Sequence, residues 1–134
     1  MRAMSTNTMS FALPEAMRSY VDQRVRSGQY GNTSEYLREL IRRDQEEQAR
    51  KRLRELILES LPFFKSNKFF FGNEMSIVDC AITPIIWRLP WLGVSLPKDA
   101  KCVEDYGQRI FRNPAFMRSM TPEEKQLRDV LAIS

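Results

Sequence analysis

A single alternating segment near the N-terminus constrains the fold more than any other feature. From Thr8 to Leu13 the chain reads Thr-Met-Ser-Phe-Ala-Leu, which places Met9, Phe11 and Leu13 on one face. Alternation of this kind predicts a half-buried strand. A lone strand leaves its hydrogen-bonding edges unpaired and is unstable in water. Because the best partner is the same strand of a second copy, we expect a homodimer that buries this apolar face under an antiparallel two-stranded ribbon.

Two amphipathic helices are predicted after this strand. Pro14 ends the strand and suits the first turn of a helix, which the apolar spacing of residues 15–27 continues up to Gly28. The run Asn32-Thr33-Ser34 then has the composition of a cap for a second helix that begins near Glu35. The second helix is expected to complete the dimer core with its apolar stripe, which contains Leu37, Leu40 and Ile41.

The opposite face of the ribbon has side chains suited to DNA. Thr8 and Ser10 lie there, and a two-stranded ribbon fits the major groove, where hydroxyl groups can bond to base edges. The helix N-terminus at 32–34 offers free N–H groups and short polar side chains, which together can hold a phosphate. These features also have purely structural explanations, as an edge strand and a helix cap. The basic pair Arg42-Arg43 can likewise be a solvated helix face. Their order and spacing favour DNA binding.

Residues 4–58 resemble the ParD-type antitoxins of toxin–antitoxin modules, which are ribbon-helix-helix proteins. The resemblance is carried by MSFALPEAM, VRSGQYGNTSEYLRELIRRD and ARKRLRELILE. It implies a homodimer that represses its own operon by binding operator DNA, and a chain beyond the second helix that neutralises a ParE-like toxin. By position, the resemblance assigns base contacts to Thr8 and Ser10, assisted by Thr6 or Asn7. It assigns phosphate contacts to Asn32, Thr33 and Ser34.

The composition changes near Leu61-Pro62. Six of the seven prolines and all but one of the phenylalanines follow residue 60. The predicted organisation is a DNA-binding and dimerisation domain over 1–47, an amphipathic connecting helix over 48–61 and an all-helical domain over 62–134. The connecting segment either continues the second helix or forms a third helix after a kink. Its apolar side either lies in a partner's groove or packs on the C-terminal domain.

The C-terminal domain is predicted to be a helical bundle. Ser76 and Asp79 have the spacing of a capping box, with Asp in place of the usual Glu, so they are expected to fix the start of a helix. That helix, from Ile77 to about Leu89, is apolar on nearly every side and is predicted to lie at the centre of the bundle, with a kink at Pro84. The remaining predictions are a helix over 99–112, a break at Asn113-Pro114, a short turn with Phe116 and Met117, and a final helix capped at Thr121.

Residues 48–130 resemble the C-terminal helical domain of stringent starvation protein A, which belongs to the glutathione S-transferase superfamily. The resemblance is carried by FFFGNEMSIVDCAITPIIWRLPWLGVSLP and DYGQRIFRNPAFMRSMTPEEKQLR, above all at SIVDC and WRLP. It does not extend to the family's thioredoxin-like domain, which holds most of the thiol-binding site, or to the first helix of the helical domain. Transferase activity is therefore not implied, and exposed apolar surface is expected. RNA polymerase is the partner that this resemblance implies.

The residue counts disfavour an enzyme. The chain has no histidine, so it cannot form a Ser-His or Cys-His pair or a histidine-containing zinc site. Cys80 and Cys102 are expected to be reduced and buried. We expect no catalytic residue, no metal and no cofactor. The sequence has no apolar run of membrane-spanning length and no N-terminal signal pattern, which predicts a cytoplasmic protein without a membrane partner.

The predicted fold class is mainly α, with a ribbon-helix-helix followed by a partial transferase-like helical bundle. Three functional hypotheses follow from it. The first is an antitoxin-type autorepressor that binds DNA and a ParE-like toxin. The second is an interaction protein of stringent-starvation-protein-A type that binds RNA polymerase. The third is a fusion product without a selected function.

Overall fold

The computed structural model of the protein describes the backbone of residues 7–132 and the side chains of residues 7–129. Within these limits the chain is mainly helical, as predicted. The helices are α1 (Glu15–Arg24), α2 (Thr33–Glu59), α3 (Leu61–Ser66), α4 (Ile77–Arg88), α5 (Lys101–Phe111), α6 (Pro114–Ser119) and α7 (Pro122–Ala132). A π-helical turn over Val25–Gln29 follows α1, and a 3₁₀ turn over Lys98–Ala100 precedes α5. None of the helices described is long and apolar enough to cross a membrane.

The chain divides into two compact units, with the division between Gln45 and Glu46. We call the part up to Gln45 unit 1 and the part from Glu46 onward unit 2. Helix α2 contributes its first half to unit 1 and its second half to unit 2. Of the two predicted arrangements for the connecting segment, the structure therefore has the continuous helix.

The strand predicted over Thr8–Leu13 is not present in the structure. Residues 7–14 have no regular secondary structure, and the side chains of Met9 and Phe11 are 84% and 58% exposed. The physical reason is that a strand needs a neighbouring strand for its hydrogen bonds, and the predicted neighbour belongs to a second copy. The ribbon consequently remains a prediction.

Unit 1 otherwise has the predicted helix–turn–helix order. Pro14 accepts the first helical hydrogen bond, from the Arg18 N–H at 3.0 Å. Gly28 lies inside the π-helical turn with a φ of 82°, a left-handed conformation that glycine adopts without steric cost. The interior of the unit is small, since Val21 and Tyr36 are its buried apolar side chains in the described region.

Helix α5 occupies the centre of unit 2. Val103 and Tyr106 on this helix are completely buried. The buried cluster around them consists of Ile57, Phe64, Ile86, Leu89, Val94, Ile110 and Phe111. Ile57 places the end of α2 in this core, and the Arg54 Nε donates to the Ser95 carbonyl at 3.1 Å. Within the chain, the second half of α2 thus packs on the C-terminal domain.

The prediction that α4 lies at the centre of the bundle is wrong. One face of α4 is buried through Asp79, Thr83 and Ile86 and packs against α5. The opposite face is exposed, and Ile77 on it is 84% accessible. Apolar residues on all sides of a helix favour its burial, but burial also requires neighbouring elements on every side.

Two smaller predictions also need correction. Cys80 is exposed and Cys102 is half-buried, although both were expected to be buried, and both thiols are free. The predicted turn at Phe116 and Met117 is helix α6, which Asn113 caps by accepting a hydrogen bond from the Ala115 N–H at 2.9 Å. The aromatic stretch after Pro62 forms α3 and a tight turn in which Phe69 and Gly72 pair.

Candidate functional site

The apolar residues predicted for the dimer core form an open surface on unit 1. Phe11 and Leu13 line one depression together with Val21, Thr33 and Leu37. This depression brings two residues of the predicted strand face next to the second helix. Unit 1 also exposes other large apolar side chains, which are Met9, Met17, Tyr20, Leu40 and Ile41.

Unit 1 thus exposes more large apolar side chains than it buries in the described region. A monomeric soluble protein rarely leaves a contiguous apolar patch of several large side chains in water. Unit 1 has few buried apolar residues to stabilise it alone, because a domain of this size buries too small a share of its surface. Burial of the exposed side chains in a dimer would supply the missing apolar contacts.

The predicted phosphate-binding segment forms the N-terminus of α2. The Asn32 Oδ1 accepts a hydrogen bond from the Glu35 N–H at 2.9 Å, so this side chain caps the helix. The Glu35 carboxylate accepts from the Gly31 N–H at 2.8 Å. Thr33 and Ser34 are exposed beside this cap. A phosphate could reach their hydroxyl groups and backbone N–H groups, but it would have to approach the negative charge of Glu35.

The residues predicted to contact bases are exposed in the structure as far as it describes them. Thr8 and Ser10 are exposed in the segment without regular structure, and so is Asn7. Thr6 lies outside the described residues. The structure therefore leaves these side chains accessible.

A buried acid organises unit 2. The Asp79 Oδ1 accepts hydrogen bonds from the Phe70 N–H at 2.9 Å and the Tyr106 hydroxyl at 2.5 Å. Its Oδ2 accepts from the Ser76 N–H at 2.8 Å and the Ser76 hydroxyl at 3.2 Å. Ser76 is the residue before α4, and the complete capping box is present. Asp79 is entirely buried, so this carboxylate joins α4, α5 and the turn after α3.

The surroundings of Asp79 determine its charge. Burial raises the pKa of its carboxyl group, but the hydrogen bonds from Tyr106, Ser76 and Phe70 outweigh burial and leave the pKa below its ordinary value of 3.8. Burial and the adjacent carboxylate raise the pKa of Tyr106. Asp79 is therefore an anion and Tyr106 a neutral donor at neutral pH. With all its hydrogen bonds made inside the protein, this acid has the surroundings of a structural group.

A second cluster attaches α7 to α4. The Trp87 indole N–H donates to the Glu124 carbonyl at 3.0 Å, and Arg88 forms an ion pair with the Glu124 carboxylate. The Arg128 guanidinium lies 4.9 Å from the Trp87 ring centroid and 4.6 Å from that of Phe111. Burial lowers the pKa of Arg128, and Glu104 partly opposes this effect. The cation thus lies over two aromatic rings, where it is attracted to their π systems.

Two residues of these clusters are absent from the predicted site residues. Tyr106 lies in the helix predicted over 99–112, and its hydroxyl is the buried donor to Asp79. Arg128 was not singled out at all. A buried tyrosine or tryptophan usually bonds through its polar atom, so the aromatic content of a predicted core is the signal that could have prompted a search for partners.

Sequence comparison relates the chain to the C-terminal helical domain of the glutathione S-transferases. The sequence profile described as "Glutathione S-transferase, C-terminal domain" matches residues 8–114, and the chain belongs to this family. The match covers most of the chain and includes the capping box and the buried tyrosine of unit 2.

Relatives of two kinds are similar to the chain. The stringent starvation protein A homologue of Coxiella burnetii is 36% identical over 87 residues, which are 64% of this chain and 42% of that protein. The homologue of Pasteurella multocida is 40% identical over 73 residues, 54% of this chain and 34% of that protein. Antitoxin ParD4 of Caulobacter vibrioides is 58% identical over 45 residues, 34% of this chain and 45% of the antitoxin. The chain thus spans less than half the length of each of these relatives.

The similarities support both predicted resemblances to different extents. The family match and the stringent starvation protein A homologues support the transferase-like C-terminal part. The match to antitoxin ParD4 is partial, and it gives weaker support to the antitoxin resemblance of the N-terminal part.

Proposed function

We propose that this chain is a non-enzymatic regulator of transcription whose unit 2 binds RNA polymerase as an interaction module of stringent-starvation-protein-A type. The observation that carries this proposal is the similarity to stringent starvation protein A homologues, which covers up to 64% of the chain. The internal position of Asp79 supports a scaffold without catalysis, because this acid is completely buried and fully hydrogen-bonded. The absence of histidine in the sequence agrees with it.

The test is retention of purified RNA polymerase by the tagged full-length chain. We expect saturable binding that withstands moderate salt. Phe11→Ser is the matched control, because this substitution lies in unit 1 and should leave binding through unit 2 unchanged. Failure of the wild-type chain to retain the polymerase would remove this proposal, and loss of retention in the Phe11→Ser variant would assign the contact to unit 1.

The exposed surface of unit 1 favours a second candidate function, that of a DNA-binding dimer. The apolar residues around Phe11 and Leu13 are open in one chain, and the similarity to antitoxin ParD4 reaches 58% identity. In this proposal two copies pair their segments over Thr8–Leu13 as a ribbon and bury that surface. The function would be repression of the chain's own operon, with a ParE-like toxin as a further partner.

Two variants separate dimerisation from DNA contact. Phe11→Ser should weaken self-association in sedimentation and abolish the shift of the DNA upstream of its own gene, because it removes apolar area from the dimer core. The Thr8→Ala, Ser10→Ala double variant should remain dimeric but lose selectivity for the upstream DNA, because it deletes hydroxyl groups facing the groove. Wild-type binding should weaken steeply with salt. Equal affinity for every duplex would exclude a specific repressor.

A further inference from the structure

Helix α4 has an exposed apolar face that the core of unit 2 does not use. Ile77, Ala81 and Ile85 follow one another at four-residue spacing, and Cys80 lies beside them. All four are exposed, with Ile77 at 84% and Ile85 at 42%. We call these four residues the α4 stripe. Two isoleucines are thus exposed along one face of this helix.

The sequence around the α4 stripe is symmetric about Ala81. Ile77 and Ile85 each lie four positions from Ala81, and Glu74 and Arg88 each lie seven positions from it. Both isoleucines are apolar and branched, whereas the two outer residues have opposite charges. A two-fold axis at Ala81 would therefore place Ile77 of one copy opposite Ile85 of the other. It would also place the acidic Glu74 opposite the basic Arg88.

We propose that the α4 stripe is a self-association surface on which a second copy of this chain packs its own α4 in antiparallel orientation. In this pair, Ile77 faces Ile85 of the second copy, and the small Ala81 lies at the crossing. Small residues allow helix axes to approach to about 8 Å, the close end of the range for packed helices. A contact of this kind uses the same patch on both copies, as two-fold interfaces do.

Charge complementarity selects the second copy and the orientation. Glu74 is exposed before the start of α4, and Arg88 at its end has 44% of its side chain accessible although it is paired with Glu124. The antiparallel pair brings each Glu74 towards an Arg88, at both ends of the interface. A parallel pair would instead place Glu74 beside Glu74, which like charges disfavour.

Cys80 makes this proposal testable. It is exposed next to Ala81, so the two copies of Cys80 would lie close to the two-fold axis, whereas Cys102 is the only other cysteine and lies on α5. In the full-length Cys102→Ser chain, a short-arm bismaleimide should link two chains through Cys80. The Cys80→Ser chain, which retains Cys102, is the matched control and should remain uncrosslinked.

Two further variants identify the surface that causes the cross-link. Ala81→Arg in the Cys102→Ser background should lower the yield about tenfold, because it places a large like charge from each copy at the crossing. Circular dichroism should show an unchanged helix content, since position 81 is exposed. Phe11→Ser in the same background should preserve the cross-link, because this association is independent of unit 1.

Two results would overturn the proposal. One is the absence of a Cys80 cross-link at protein concentrations up to the solubility limit, which would leave the surface to a different partner. The other is a cross-link that survives Ala81→Arg or disappears with Phe11→Ser, because the proximity of the cysteines would then come from unit 1.

Discussion

Asp79 is the residue on which three parts of unit 2 converge. Its carboxylate accepts from a backbone N–H in the turn after α3, from the residue that caps α4 and from a tyrosine on α5. A buried anion of this kind stabilises the fold only while all its donors remain in place. Substitutions of the acid and of its donors are therefore expected to have different consequences.

Replacement of the acid should make stability less dependent on pH. Asp79 has a lower pKa in the folded chain than its ordinary value of 3.8, so its contribution is present above that value and is lost as the pH falls towards the folded pKa. Asp79→Asn should cost about 2–4 kcal/mol at pH 7, because its amide turns a donor towards other donors. Urea unfolding at pH 7 and at about pH 3 should show a smaller difference between the two proteins in acid. An equal difference at both pH values would contradict this account.

Removal of one donor should be milder. Tyr106→Phe deletes the hydroxyl that bonds to the Asp79 Oδ1 and leaves the Phe70 N–H in place. We expect a loss of about 1–3 kcal/mol in the free energy of unfolding. Tyr20→Phe, on an exposed residue of α1, is the matched control and should change stability by less than about 0.5 kcal/mol. Equal effects of the two substitutions would show that the buried hydroxyl has no special role.

At the scale of single elements, the turn between α1 and α2 depends on one backbone conformation. Gly28 has a φ of 82°, and a Cβ built there would meet no atom within 4 Å. Gly28→Ala should therefore cost about 1–2 kcal/mol through backbone strain alone. Gly28→Asn should cost less, because asparagine tolerates the left-handed region. Thermal unfolding of both variants measures the difference, and an alanine variant as stable as wild type would refute the strain.

The elements differ in how well the sequence predicts them. The starts of α2 and α4 follow from local signals, since Asn32 and Ser76 bond to groups three residues further along the chain. The strand over Thr8–Leu13 depends on a partner from outside the chain, so its alternation alone could not decide whether one copy forms it. Helix α6 has only six residues, too few for a helical period to stand out from a turn.

The position of α4 was mispredicted for a related reason. Its composition indicates burial on all sides, but only neighbouring elements can provide it. Among the candidate site residues, the helix caps could be predicted from the spacing of residues in the sequence. Tyr106, the partner of Asp79 on α5, lies 27 residues further along the chain. Contacts over such separations are set by tertiary packing, which no local pattern encodes.

At the scale of the whole molecule, the chain is proposed to have two self-complementary surfaces, one in each unit. If the two share one symmetry axis, they close a dimer, and if they do not, they generate tetramers or open chains. Analytical ultracentrifugation should show weaker self-association for Phe11→Ser or Ala81→Arg than for wild type, and monomers for the combined variant. A combined variant that still associates would reveal a third surface.

The capping box also has a consequence for the order of folding. The bonds between Ser76 and Asp79 close a loop of three residues, whereas Tyr106 reaches the same carboxylate from much further along the chain. Short loops form first because they restrict fewer residues. Asp79 would then acquire local donors before the collapse that removes it from water. Ser76→Ala is expected to slow refolding, whereas Tyr106→Phe is expected mainly to accelerate unfolding, and stopped-flow measurements in urea distinguish the two.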